Sequence, residues 1–146
     1  MMNSVKGIFS RLSDEWETPL ALFETYNTEF HFTLDPCSTD ENAKCEKHYT
    51  LDDNGLYQSW ENEIVWCNPP YSGCYDWCIK ALNESRNNNA TVVMLLPSRT
   101  DTKWFHDIVL PYADEIRFIR GRLRFNNSKS NAPFASLIAI FTFKEV

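Results

Sequence analysis

The sequence predicts an α/β fold with a mostly parallel sheet. Three observations carry this. Short apolar runs, Ile64-Val65-Trp66-Cys67 and Thr91-Val92-Val93-Met94-Leu95-Leu96-Pro97, read as strands buried on both faces. Segments of helical periodicity alternate with such runs, the order of βαβ units. And 146 residues that are 43% hydrophobic and 14% aromatic can fill one core. We read residues 1–13 as a flexible N-terminal tail and residues 14–146 as a single domain.

The elements follow in order. Thr18 reads as a helix N-cap and Pro19 as the first helical residue. Leu20, Leu22, Phe23, Tyr26 and Phe30 give that helix an apolar face. Residues 31–34 predict a short strand, stopped by Asp35-Pro36-Cys37-Ser38; residues 40–47 are polar, with room for one helical turn. Asn54-Gly55 reads as a turn. A strand at 64–67 leads to a helix at 75–87, and the strand at 91–97 to a helix at 101–112 entered through Asp101. Residues 115–119 predict a third strand of the same kind. Residues 122–125 and 134–143 predict two further strands. No helix separates these two, so they should pair as an antiparallel hairpin at the sheet edge. The polar stretch 126–131 between them reads as a mobile loop.

Composition narrows the function classes. No apolar run is long enough to span a bilayer, and residues 1–11 lack a signal-peptide core, so a cytoplasmic protein is expected. Five cysteines, none in Cys-x-x-Cys spacing, point to reduced thiols rather than a metal site. The net charge of −6 argues by itself against binding an anionic polymer. The distribution is uneven, however: residues 117–129 hold five basic residues and no acid, whereas residues 35–63 hold eight acids against two lysines.

The chemistry centres on Asn68-Pro69-Pro70-Tyr71. The prolines stop the strand, because neither donates to a ladder and each fixes its own φ. A stiff loop results at the carboxyl end of a strand, where open α/β sheets bind ligands. It presents the Asn68 carboxamide, the Pro69 carbonyl and the Tyr71 ring. An exocyclic amine of a nucleobase is a poor nucleophile, since its lone pair is delocalised into the ring. Two acceptors, the Asn68 side-chain oxygen and the Pro69 carbonyl, can each take an N–H and localise that pair, while Tyr71 stacks on the base. A packed, proline-rich turn is the plainer reading of the same four residues.

Two other strand ends, Asp35-Pro36-Cys37-Ser38 and Pro97-Ser98-Arg99, should converge on the same crevice. Asp35 suits an ammonium group or a turn cap. Asp52 and Asp53 suit an adenine amine or ribose hydroxyls, or a solvated turn. Thr18 can offer a hydroxyl and adjacent amides to a carboxylate, and Trp16 a ring to a ligand or to the helix. Arg117, Arg120, Arg122 and Arg124 are spaced to form a phosphate track or a charged, protected edge. Phe125 and Phe134 flank the polar loop and suit stacking on an extruded base or core packing.

Taken together, Trp16-Glu17-Thr18-Pro19, Leu34-Asp35-Pro36-Cys37, Asn68-Pro69-Pro70-Tyr71, Leu95-Leu96-Pro97, Gly121-Arg122-Leu123-Arg124-Phe125 and Ala132-Pro133-Phe134 resemble the phage-type DNA N6-adenine methyltransferases, the Dam-like family. The resemblance spans residues 16–143 and rests on the order and spacing of these motifs. It implies a Rossmann-like methyltransferase domain with an antiparallel edge strand, S-adenosylmethionine as donor, and DNA as partner; the chain length leaves no room for a large target-recognition domain. It assigns Asn68, Pro69, Pro70 and Tyr71 to catalysis. Trp16, Thr18, Pro19, Asp35, Pro36, Cys37, and Asp52 or Asp53, fall to the donor. Arg122, Arg124, and Phe125 or Phe134, fall to the target adenine. The family's frequent glycine-rich loop after the first strand is replaced here by Asp-Pro-Cys-Ser. With so little chain beyond the catalytic segments, specificity is expected to be weak, or to come from residues 117–129, a homo-oligomer or a partner. Other amine acceptors (RNA, a nucleotide, a protein amide) and a non-enzymatic binding module are the alternatives.

Overall fold

The computed structural model describes residues 16–144, so the tail read at residues 1–13 lies outside them. The order is α1 (Leu20–Phe30), β1 (Ile64–Cys67), α2 (Cys74–Asn87), β2 (Thr91–Pro97), a π-helical turn (Phe105–Val109) running into α3 (Leu110–Tyr112), β3 (Glu115–Phe118) and β4 (Ser136–Phe141). Short 3₁₀ turns occupy Gly55–Tyr57 and Tyr71–Gly73.

The four strands form one mixed sheet in the order β1-β2-β4-β3. β1 and β2 are parallel, with Ile64 opposite Thr91. β4 runs antiparallel to both of its neighbours, pairing Leu96 with Leu137 and Phe118 with Leu137. β3 therefore runs in the direction of β1 and β2. The expected antiparallel edge pair is present, but β3 takes the place assigned to residues 122–125. Those residues are not a strand. Leu123 and Phe125 instead point into the core with only local support, the Leu123 carbonyl accepting from the Ala132 N–H at 2.8 Å.

The expected strand at 31–34 is reduced to single bridges, Leu34 to Val65 and Asp35 to His48, both parallel. The cause is local. His31 takes a left-handed φ of 58° to end α1, donating its N–H to the Asn27 carbonyl at 2.8 Å, so the chain reaches β1 already turned.

Alternation along the strands sorts two apolar layers. Val92, Met94, Leu96, Leu137, Ala139 and Phe141 face α2 and the π-helical turn, in one cluster with Trp77, Cys78, Phe105 and Ile108. Val93, Leu95, Ile138 and Ile140 face the other way, in a cluster with Trp66 and with Phe23 of α1. Every residue of β4 is buried, as a strand covered on both faces requires.

The helix at 101–112 starts from Thr102 rather than Asp101: the Thr102 hydroxyl accepts the Phe105 N–H at 3.4 Å. It widens into a π turn, the Leu110 N–H reaching back to the Phe105 carbonyl. Pro111, which has no N–H and crowds the carbonyl four residues before it, explains the widening.

The acidic segment before β1 is held by one buried network. Glu84 of α2 accepts from Lys80 at 2.7 Å, from the Trp60 backbone N–H at 3.2 Å and from the Asn88 carboxamide at 3.0 Å. Removing one partner of a buried charge of this kind costs about 3–5 kcal/mol. The network seats Trp60, wholly buried and stacked on Trp77, beneath the loop that carries Gly55.

Candidate active site

A cavity of about 440 Å³ opens at the carboxyl ends of β1 and of the Leu34–Asp35 bridge segment. Trp16, Thr18, Asp35, Pro36, Cys37, Asn68 and Pro70 line it, as the sequence led us to expect. Its size lies within the range of small-molecule sites, about 300–1,000 Å³. Its wall also takes Asn42, Leu51, Asn54, Leu56, Trp77 and Asn127, which the sequence reading passed over. Nothing in the residue pattern marked Leu51 or Leu56 as wall rather than core. Asn54-Gly55, by contrast, carried a turn signal that could have been followed.

Asn68 is the centre of this arrangement. Its carboxamide nitrogen donates to the Trp16 carbonyl and, at 3.1 Å, to the Thr18 hydroxyl. Its carboxamide oxygen is buried and has no partner among the described residues. The side chain is thus locked by its donor end with its acceptor end unspent, and a buried acceptor left this way is costly unless something occupies it.

Thr18 is not the helix cap the sequence suggested. The helix starts from Pro19, with no side-chain cap. The 4% exposed Thr18 instead accepts from the Trp66 indole N–H at 3.2 Å and from Asn68. Its own hydroxyl proton then has no acceptor among the described residues, which leaves a donor for an anionic ligand group.

Asp35 is 3% exposed. Its oxygens accept from the Cys37 N–H at 3.3 Å and from the Lys44 N–H at 3.0 Å, so it shapes the loop it begins. Burial still dominates, pushing its carboxyl up to about 6. Burial also holds the Cys67 thiol, beneath the cavity, well above the ordinary thiol range. Among the described residues no His, Cys, Asp or Glu cluster suits a metal ion.

Several expected residues lie elsewhere. Asp52 and Asp53 are exposed and do not line the cavity. The Asp53 carboxylate is taken up by the Thr50 N–H at 2.8 Å, and the loop lines the cavity with the partly buried Leu56 and the exposed Leu51 instead. Pro19 and Pro69 do not line the cavity.

Tyr71 is 8% exposed, packs edge-on against Phe134 at 5.3 Å, and keeps a buried hydroxyl with no partner among the described residues. Burial raises its phenol far above the ordinary range, with the charge of Arg99 acting in the opposite sense. Phe125, at 1% exposure, packs against Trp16 and Phe134 and has no face to offer; Phe134 is the half-buried ring of the pair.

Arg122 and Arg124 are exposed, whereas Arg117 is tied by a two-point pair to Glu29 at 2.7 Å and by a further bond to Glu115. The start of the loop read as mobile is tied down: Asn126 donates to the Glu17 carbonyl, and the Asn127 side chain accepts the Glu17 N–H, both at 3.1 Å. The third strand-end loop, Ser98-Arg99, stands beside Phe134 rather than in the cavity wall.

A mixed α/β sheet with a small-molecule cavity at its strand ends, and a locked carboxamide on a proline-stiffened loop, define an α/β domain of the ligand-binding type. The family follows from comparison. The model of the family described as DNA N-6-adenine-methyltransferase (Dam) matches residues 8–142, and the chain belongs to that family. It is 36% identical over 120 residues to a DNA N-6-adenine-methyltransferase of Haemophilus phage HP1, covering 80% of this chain and 69% of the relative. It is 36% identical over 94 residues to the protein of that name in Escherichia phage T1, spanning 63% of this chain but only 39% of the relative. A putative methyltransferase, YfdM, of Escherichia coli K12 is 37% identical over 67 residues, 41% of this chain and 74% of the relative.

Proposed function

We propose that this chain transfers a methyl group from S-adenosylmethionine to the exocyclic N6 amine of adenine in DNA, on a Rossmann-like methyltransferase sheet. Family membership and the activity in the names of the two phage relatives support the reaction class. The observation that carries the site is Asn68: its N–H bonds are given to Trp16 and Thr18, and its buried oxygen is unmatched.

The donor fits the residues present. The Thr18 hydroxyl suits its carboxylate, Asp35 and the adjacent Pro36 and Cys37 its amino-acid part, and Leu51, Leu56 and Trp77 its nucleoside. When bound, S-adenosylmethionine supplies an electrophilic methyl on a cationic sulfur. The chain's own part is positioning. The target nucleotide leaves the duplex. Asn68 accepts one amine hydrogen, with the Pro69 carbonyl as second acceptor, and the nitrogen lone pair is aimed along the attack line. The nitrogen becomes acidic as it is alkylated, so its proton passes to solvent without a strong base. Phe134, backed by Tyr71, offers the stacking face. Arg122 and Arg124 contact phosphates, which position the duplex without reading its sequence.

The test is mass spectrometry of nucleosides from unmethylated DNA incubated with the protein and S-adenosylmethionine. N6-methyl-2′-deoxyadenosine should form with wild type. Asn68→Ala should turn over at least about a hundredfold more slowly at saturating donor, the effect of losing one preorganised polar contact. Near wild-type turnover by Asn68→Ala would sink the site assignment. Donor binding without any methylated DNA would move the acceptor to another amine.

A further inference from the structure

Arg99 has no part in the cavity wall, yet it is held in place. Its N–H donates to the Pro97 carbonyl at 2.7 Å, and its carbonyl accepts the Thr102 hydroxyl at 2.7 Å, so the turn after β2 fixes its backbone. Its guanidinium carbon lies 5.7 Å from the centre of the Phe134 ring, and that ring in turn packs on Tyr71.

The charge is uncommitted. Arg86 is paired with Asp114 and Arg117 with Glu29 and Glu115, but among the described residues no carboxylate pairs Arg99. In a chain of net charge −6, an exposed guanidinium on a fixed backbone turn next to the candidate site stands out electrostatically. The contact with the Phe134 ring takes none of its N–H groups to an acceptor. The N–H donors in its plane stay available, in the fork geometry that matches a phosphate. Two hydroxyls nearby in the chain and the packing, those of Ser98 and Tyr71, are buried without partners among the described residues, so this end of β2 is set up for a polar guest.

We infer that Arg99 is a positioning residue that clamps a phosphodiester oxygen beside the nucleotide drawn toward Phe134 and Asn68. This rests on the proposed reading of the site as a DNA methyltransferase centre. The plainer role, a cation stacked on an aromatic ring for packing, makes different predictions, because packing does not depend on phosphate.

The experiment follows binding of a short DNA duplex against salt concentration, with steady-state methylation and donor calorimetry on the same proteins. Arg99→Gln should lower the log–log salt slope by about one. It should raise KM for DNA about tenfold, with the loss falling on KM rather than kcat and with donor affinity as in wild type. Arg99→Lys should restore the slope but not KM, since it keeps the charge and loses the fork. A wild-type slope and KM in Arg99→Gln, or a joint loss of donor affinity and melting temperature, would overturn the clamp. A wild-type protein that transfers no methyl to DNA overturns the proposed function, and the slope still decides Arg99.

Discussion

At the scale of single residues, two buried polar groups are held against their solvation preference. Asn68 has its orientation dictated by Trp16 and Thr18. Asp35 is held by two backbone N–H groups, yet burial lifts its carboxyl from 3.8 to about 6. The folded protein therefore binds this proton more tightly than the unfolded chain does. The group's contribution to stability is greatest when it is protonated, falls as pH rises from about 4 to about 6, and reaches its full penalty above that window. His48, raised above its usual 6.5 by its bond to Asp40, acts at higher pH: its contribution is lost as pH rises through that raised value. Urea unfolding of wild type and Asp35→Asn between pH 4 and 7 separates the two. The variant should show a flatter pH dependence below about pH 6, and parallel curves would remove Asp35 as the source.

At the scale of elements, the cavity depends on two loops approaching where only a glycine allows it. A Cβ on Gly55 would stand 2.1 Å from the Pro36 carbonyl oxygen and 3.1 Å from the Trp77 ring. The Gly55 carbonyl is itself fixed by the Trp60 indole N–H at 3.0 Å, so the loop has little room to retreat. Gly55→Ala should cost about 1–3 kcal/mol, the range for overpacking, and should weaken donor binding by prising Leu56 away from Pro36. Denaturant unfolding and calorimetry test this. A variant of wild-type stability and donor affinity would show that the close approach is not needed.

At the scale of the molecule, charge placement matters more than net charge. The basic run at 117–129 divides in the folded chain. Arg117 turns back to Glu29, while Arg122 and Arg124 alternate with the partly buried Leu123 and the buried Phe125 and face solvent. Arg117→Gln should therefore leave the salt dependence of DNA binding close to wild type, and the double variant Arg122→Gln/Arg124→Gln should reduce its slope by about two. Titrations against salt check both. An Arg117→Gln slope reduced as much as that of the double variant would contradict the division.

The sequence by itself determined the strands at 64–67 and 91–97, the α/β class, and the Asn-Pro-Pro-Tyr loop at a strand end, because long apolar runs and proline stops act locally. It also brought Asp35 to the cavity, since strand ends in a parallel sheet share one edge, while Thr18 and Trp16 were brought there by the resemblance alone. Only the tertiary structure decided which edge partner β4 takes, because β3 and residues 122–125 look alike in isolation and long-range pairing chooses between them. It likewise turned Thr18 from a helix cap into the anchor of Asn68, 50 residues away, a contact no local pattern encodes. Leu56 took the place expected of Asp52 and Asp53 at the cavity because a loop's facing is set by what packs beneath it, here the cluster with Trp60 and Trp77.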